Sequence, residues 1–171
     1  MLERHIFIIG MPGSGKSSLG RKVANNLRLT YIDTDQRISE GVGCTIPEIF
    51  ERYGEQAFRN AETNTLIQLT REPPAIISTG GGMVMREVNR NIMRNHGVIL
   101  LIDRPLEDIM SDIKLDRRPM LARKGLSEVE RLYHERIDVY RAAADAVLDN
   151  SHGYYAGVAG MEKLLRSMFN I

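Results

Sequence analysis

Short apolar runs alternate along this chain with longer stretches whose apolar residues recur at spacings of three and four. The runs at residues 6–9, 30–33, 75–78, 98–102 and 146–148 are brief and mostly rich in β-branched side chains, which predicts strands. Leu19, Val23 and Leu27, spaced by four, predict an amphipathic helix over 16–27. Further helical patterns cover 47–53, 55–71, 86–95, 106–113, 127–144 and 155–168. Strands alternating with helices predict an α/β fold with a mainly parallel sheet. In such sheets ligands gather beyond the carboxyl ends of the strands. Functional chemistry is therefore expected just after each apolar run.

Three strand ends stand out. The first runs directly into Gly10-Met11-Pro12-Gly13-Ser14-Gly15-Lys16-Ser17, which matches the phosphate-binding pattern G-x-x-x-x-G-K-S/T at every fixed position. Its glycines let backbone N–H groups approach phosphate oxygens closely. Lys16 reaches the β- and γ-phosphates, the Ser17 hydroxyl suits Mg²⁺, and the following helix turns its positive end toward the anion. The pattern predicts nucleotide phosphate binding.

The second strand end carries Asp33-Thr34-Asp35. In extended chain the two carboxylates point to one side, about 6–7 Å apart at the backbone. One then helps hold a metal while the other positions or deprotonates an attacking hydroxyl. Asp also favours turns and helix caps, so a purely structural role competes. The third strand end carries Gly80-Gly81-Gly82, bare backbone against which a small hydroxyl-rich substrate can lie, or a sharp turn into the next helix.

Arg59 and Glu62, three apart on a predicted helix, form a structural ion pair by default. Arg136 and Arg141 flank opposite sides of the apolar stripe on the helix predicted over 127–144. Periodicity does not choose which faces inward. Guanidinium forks suit carboxylates and phosphates. Residues 114–124 hold Lys114, Arg117, Arg118, Arg123 and Lys124 against the single carboxylate of Asp116, which reads as a mobile lid closing over phosphates.

Composition narrows the class. Lys and Arg total 23 against 22 Asp and Glu, far less basic than a protein that grips nucleic acid. At 171 residues the expectation is one domain. The single cysteine, Cys44, makes no internal disulfide, fits a reducing compartment, and reads as a small buried hydrophobe. No apolar run approaches the ~20 residues of a membrane span, and the N-terminal run is too short for a signal peptide. A cytoplasmic location is expected. His5, His96, His134 and His152 lack metal-ligand spacing, and the nine methionines read as packing.

Taken together, Gly10–Ser17, Asp33-Thr34-Asp35, Phe58-Arg59 with Glu62, Gly80–Gly82, Arg118-Pro119-Met120-Leu121, and Arg136 followed by Tyr140 resemble the shikimate kinases over nearly the whole chain. The resemblance implies a three-layer fold with a five-stranded parallel sheet. It places substrate-binding helices at about 34–62 and a mobile lid at about 112–125. It implies transfer of the γ-phosphoryl group of ATP to the 3-hydroxyl of shikimate, a cyclic carboxylic acid, with Mg²⁺. By resemblance, ATP contacts fall on Gly13, Ser14, Gly15, Lys16, Ser17, Ser18 and Arg118. Asp35 binds the reacting hydroxyl and serves as base or orienting group, and Ser17 with Asp33 holds the Mg²⁺ shell. Arg59 and Arg136 clamp the substrate carboxylate, Gly80, Gly81 and Gly82 line the ring, and Arg118 approaches the transferring phosphate beside Lys16. The expected partners are shikimate and ATP alone, with no nucleic acid or membrane, and the expected state is a monomer.

Two positions depart from the family pattern. Ser111 and Asp112 stand where an arginine often stacks on adenine, so the adenine contacts must differ. Met120 replaces a leucine in the lid, a swap that conserves volume. The nearest rival readings are another small-molecule or nucleoside monophosphate kinase, which shares the phosphate loop, and a non-catalytic nucleotide-binding module. The rival kinases are not expected to combine the two aspartates, triple glycine and two arginines in this order, and the module would be favoured by loss of Lys16, Asp35 or Arg118, all of which are present.

Overall fold

The computed structural model describes residues 2–112 and 125–169. Five strands, β1 (His5–Ile9), β2 (Tyr31–Asp33), β3 (Ile76–Ser78), β4 (Gly97–Asp103) and β5 (Ala146–Asp149), form one sheet in the order β2-β3-β1-β4-β5. Every pairing is parallel. The helices are α1 (Lys16–Leu27), α2 (Thr34–Val42), α3 (Ile46–Leu69), α4 (Glu87–His96), α5 (Leu106–Asp112), α6 (Gly125–Ala143) and α7 (Tyr154–Phe169). A 3₁₀ turn, Met83–Met85, precedes α4.

The unbroken apolar runs follow from burial on both faces, since successive strand side chains point opposite ways. Ile6 and Ile8 of β1 pack with Leu19 and Val23 of α1 and Met161 and Leu165 of α7. Phe7 and Ile9 face the other layer, where Leu66 and Leu69 of α3, Met93 of α4 and Ile137 and Tyr140 of α6 cover them. The fold is the expected α/β sandwich. Because β1 pairs with β3 on one side and β4 on the other, the chain reverses direction across the sheet at its centre. A crevice opens at the carboxyl end of β1, where the phosphate loop lies.

A third cluster, Ile38, Ile49 and Phe58, ties α2 to α3, with Cys44 half-buried against it. The break predicted between 53 and 55 is present: Gly54 takes φ 79° and ψ 172°, a left-handed φ that interrupts α3. Thr45 and Glu48 close the start of α3 with a reciprocal capping box.

One element escaped the hydrophobic pattern. Residues 34–42 form helix α2, although Ile38 and Val42 are its only large apolar residues, too few to show a period. This corrects the reading of Asp33 and Asp35 as an extended pair. Asp33 is instead the N-cap, its Oδ1 accepting from the N–H groups of Asp35 (3.1 Å) and Gln36 (3.4 Å). Asp35 sits in the first helical turn. The lid reading, with Lys114 and Arg118, lies outside the described residues apart from Asp112 and Gly125.

His5 is buried at the opposite end of the sheet, and its Nδ1 accepts from the Ala75 N–H at 3.2 Å. Burial, then His96, lowers its pKa below 6.5, against a hydrogen bond to the Leu69 backbone and the charge of Glu72. A folded pKa below the unfolded one means the unfolded chain takes up the proton first. Stability tied to the neutral ring is therefore held above pH 6.5 and lost as pH falls below it. Thermal melts are expected to show a loss of Tm below pH 6.5 that shrinks in His5→Asn, which keeps an acceptor but does not titrate. Asp35 and Glu62, raised by burial, pull the other way in acid, so the variant comparison isolates His5.

Candidate active site

The phosphate loop leads into α1 through Gly15, whose φ of 100° is left-handed and which supplies no side-chain cap. The first N–H groups of α1 are thus left to an anion. Lys16 is 8% exposed, and its Nζ donates to the carbonyls of Gly10 and Met11, each at 2.9 Å, which holds the ammonium over the loop. Asn150, just past β5, donates from Nδ2 to the Ser14 carbonyl at 2.8 Å and braces the loop from behind. The Ser14 side chain is fully buried, away from the cavity in front of the loop.

That cavity holds about 410 Å³ and is lined by Pro12, Gly13, Gly15, Lys16, Ser17, Ser18, Asp33, Asp35, Ser78, Thr79, Gly80 and Gly81. The three singled-out strand ends meet here. A second hollow of about 530 Å³ is lined by Glu55, Gln56, Arg59, Gly82, Met85, Arg86, Glu135 and Arg136. The triple glycine borders both. A Cβ on Gly80 would stand 2.8 Å from Asp35 Oδ1 and 3.1 Å from Glu62 Oε1. A Cβ on Gly81 would come within 3.4 Å of an Arg136 guanidinium nitrogen, and one on Gly82 would strike the Arg59 guanidinium. The glycines are bare because acids and arginines crowd over them.

The geometry decides between the two arginines of α6. Arg136 faces the hollow, whereas Arg141 is exposed and pairs with Asp103 at 3.0 Å. Arg59 lines the same hollow and forms the expected ion pair, donating to Glu62 at 2.9 Å, with Glu62 1% exposed. Burial works against the Arg59 charge, but Glu62 and Glu55 more than offset it and its pKa rises. Burial, then the charge of Asp33, pushes the Asp35 carboxyl above its ordinary 3.8, with Lys16 and Arg59 pulling it back. Asp35 Oδ1 and Glu62 Oε1 are buried, accept no hydrogen bond from the described residues, and both face Gly80. Two acceptors aimed at one bare glycine suit a ligand rich in hydroxyl donors.

Several contacts that position the site gave no sequence signal. Tyr140, buried in α6, donates its hydroxyl to the Gly81 carbonyl at 2.6 Å. The Gly80 N–H donates to Thr34 Oγ1 at 3.1 Å, tying the glycines to the first turn of α2. Tyr31 donates to Asp33 Oδ2 at 3.2 Å. Burial, then Asp33, raises the Tyr31 phenol above 10.0, so it remains a donor at neutral pH. These contacts join residues far apart in sequence, which no local pattern encodes.

The oxygens present also fit a magnesium ion. Ser17 Oγ donates to Asp33 Oδ2 at 3.0 Å and lies 3.3 Å from Ser78 Oγ, an all-oxygen set at the foot of the cavity. Among the described residues no group of three or more His, Cys, Asp or Glu could cage a metal. Mg²⁺ needs no such cage, since it keeps waters and takes phosphate oxygens beside one or two protein ligands. Ser17 and Asp33 supply that number.

Comparison with known proteins identifies the family. The family model for shikimate kinase matches residues 12–164. The chain belongs to the shikimate kinase family. It is 41% identical over 149 residues to the shikimate kinase of Clostridium beijerinckii, covering 87% of each chain. It is 38% identical over 164 residues to that of Clostridium botulinum strain Eklund 17B, covering 96% of this chain and 98% of the relative. Among solved structures, the shikimate kinase of Acinetobacter baumannii in complex with shikimate superposes with a TM-score of 0.87 at 30% identity. That match covers 96% of this chain and 92% of the other. The Aquifex aeolicus shikimate kinase gives 0.81 at 32% identity, covering 96% and 95%. Both share the parallel-sheet kinase fold. Among the described residues no helix is long and apolar enough to cross a membrane.

Proposed function

We propose that this chain transfers the γ-phosphoryl group of ATP to the 3-hydroxyl of shikimate, with Mg²⁺ held at Ser17 and Asp33. Family membership supports the reaction. The observation that carries the residue assignment is the meeting of Asp35 and Glu62 over Gly80, between the phosphate loop and the arginines.

In this reading Arg59 and Arg136 grip the substrate carboxylate from two helices, which fixes which hydroxyl faces the loop. Gly80–Gly82 let the ring lie against backbone. Asp35 Oδ1 accepts the hydrogen of the 3-hydroxyl and takes the proton as the phosphoryl group arrives. A carboxyl raised by burial is a better proton acceptor than an exposed one. Lys16 leaves the loop carbonyls for the phosphate oxygens and stabilises the charge that spreads over them in transfer. Mg²⁺, when bound, neutralises charge on the β- and γ-phosphates. Arg118, assigned from its motif, adds charge to the same phosphate.

The test is ADP release with Mg·ATP over shikimate, gluconate, AMP, CMP and UMP. Saturable turnover with shikimate alone is expected. Turnover only with another acceptor would leave the phosphate loop correct and the substrate pocket wrong. The carboxylate clamp makes its own prediction. Arg136→Ala is expected to raise the shikimate KM by roughly 10–100-fold, the worth of a hydrogen bond to a charged group, with little change in the KM for ATP. An unchanged shikimate KM would remove Arg136 from the clamp.

A further inference from the structure

Tyr31 and Asp33 lie two apart on edge strand β2, so their side chains share the face that α1 covers, while Ile32 points the other way. Gly20 makes room on α1: a Cβ there would stand 2.7 Å from Ile8 Cδ1 and 3.1 Å from Tyr31 Cε2. The helix therefore sits close to the strand and the Tyr31 ring is pinned against it. Arg21 closes over the ring, its guanidinium carbon 5.4 Å from the centroid. The ring is held, and so its hydroxyl is aimed.

Its target is Asp33 Oδ2, at 3.2 Å. The same oxygen accepts from Ser17 Oγ at 3.0 Å, while Oδ1 is occupied by the N–H groups that cap α2. The carboxylate is thereby fixed from three directions: by the helix cap, by the tyrosine and by the serine. A serine that gives its proton to Asp33 turns its lone pairs outward, toward the cavity where a phosphate-bound cation would sit.

We propose that Tyr31 is a positioning residue for the magnesium shell: its hydroxyl locks the Asp33 carboxylate so that Ser17 presents an oxygen lone pair to the cation. This rests on the reading of Ser17 and Asp33 as the magnesium residues. Tyr31 touches neither nucleotide nor acceptor in this scheme. It acts through Asp33, and its loss should weaken cation binding while leaving the phosphate loop itself intact. Outer-shell partners of this kind are typically worth about 10–100-fold in metal affinity.

The test is Tyr31→Phe, which keeps the ring against Gly20 and Arg21 and removes only the hydroxyl. Calorimetric titration with ADP, in EDTA and in excess Mg²⁺, separates the nucleotide from the cation without turnover. ADP affinity in EDTA and the melting temperature in EDTA are expected to match wild type. The tightening of ADP by Mg²⁺ is expected to fall about tenfold. That loss should shrink in an Asp33→Asn background, where the oriented carboxylate is gone. A Mg²⁺-linked gain in Tyr31→Phe equal to or larger than wild type overturns the proposal, as does an equal loss in the Asp33→Asn background. Wild-type protein with no Mg²⁺-linked gain at all would overturn the magnesium reading beneath it, and the role of Tyr31 with it.

Discussion

Asp35→Asn is expected to lower kcat by about 10²–10⁴-fold, the usual worth of a positioned general base, while shikimate still binds. The substitution preserves shape and a hydrogen-bonding oxygen but removes the proton acceptor. The carboxyl sits over Gly80 with one oxygen that accepts nothing from the described residues, so the change strikes an unpartnered atom at the lining of the cavity. It should spare the cap of α2, which depends on Asp33 rather than Asp35. The pH profile gives an independent check. Because burial and Asp33 raise the Asp35 carboxyl, kcat/KM for shikimate in wild type should fall in acid through a pKa above 3.8. Activity is lost as pH drops, since the base must be ionised to accept a proton. Wild-type kcat in the variant would remove Asp35 from proton transfer.

The second large effect belongs to Lys16. Lys16→Met keeps a long apolar stem in a site only 8% exposed and removes the ammonium. Loss of one preorganised charge on a developing oxyanion typically costs 10²–10³-fold, and about that reduction in kcat/KM for ATP is expected. The ammonium also bridges the Gly10 and Met11 carbonyls, so some destabilisation of the loop accompanies the change. Melting curves separate the two consequences. A variant that melts near wild type yet turns over ATP 10²-fold more slowly locates the loss at the phosphates. Retention of kcat/KM within threefold would contradict the assignment.

The legibility of this chain follows the range of each interaction. The strands were readable because two-sided burial leaves uninterrupted apolar runs, and α1 because its stripe repeats every four residues between a glycine-rich loop and β2. Gly54 announced its own break, since its left-handed φ is one glycine adopts at little cost. Helix α2 was hidden because it lies on the α3 layer through Ile38 rather than through a full apolar face. Without an apolar period at 34–42, the pattern left Asp33 open between a cap and half of an extended pair, and only the family resemblance placed a helix there. The choice between Arg136 and Arg141 was closed to periodicity because both flank the stripe. Only the position of Gly81 opposite α6 decides it.

Contacts across long sequence separations were the least visible. Tyr140 to Gly81 spans 59 residues, Thr34 to Gly80 spans 46, and Asn150 to Ser14 spans 136. Each residue reads locally as ordinary: a stripe tyrosine, a helix-start threonine, a loop asparagine. Their hydrogen bonds hold the triple glycine and the phosphate loop in register with the acids and arginines. The chemistry-bearing residues were written in motifs, and the residues that aim them were written in the topology.

The arginine clamp and Asp35 together should select one hydroxyl of shikimate for phosphorylation. The most direct measurement is phosphorus and carbon NMR of the product formed by wild-type protein from Mg·ATP and shikimate. A single phosphomonoester on the 3-oxygen is expected. A product phosphorylated at another hydroxyl, or a mixture of positions, would contradict it.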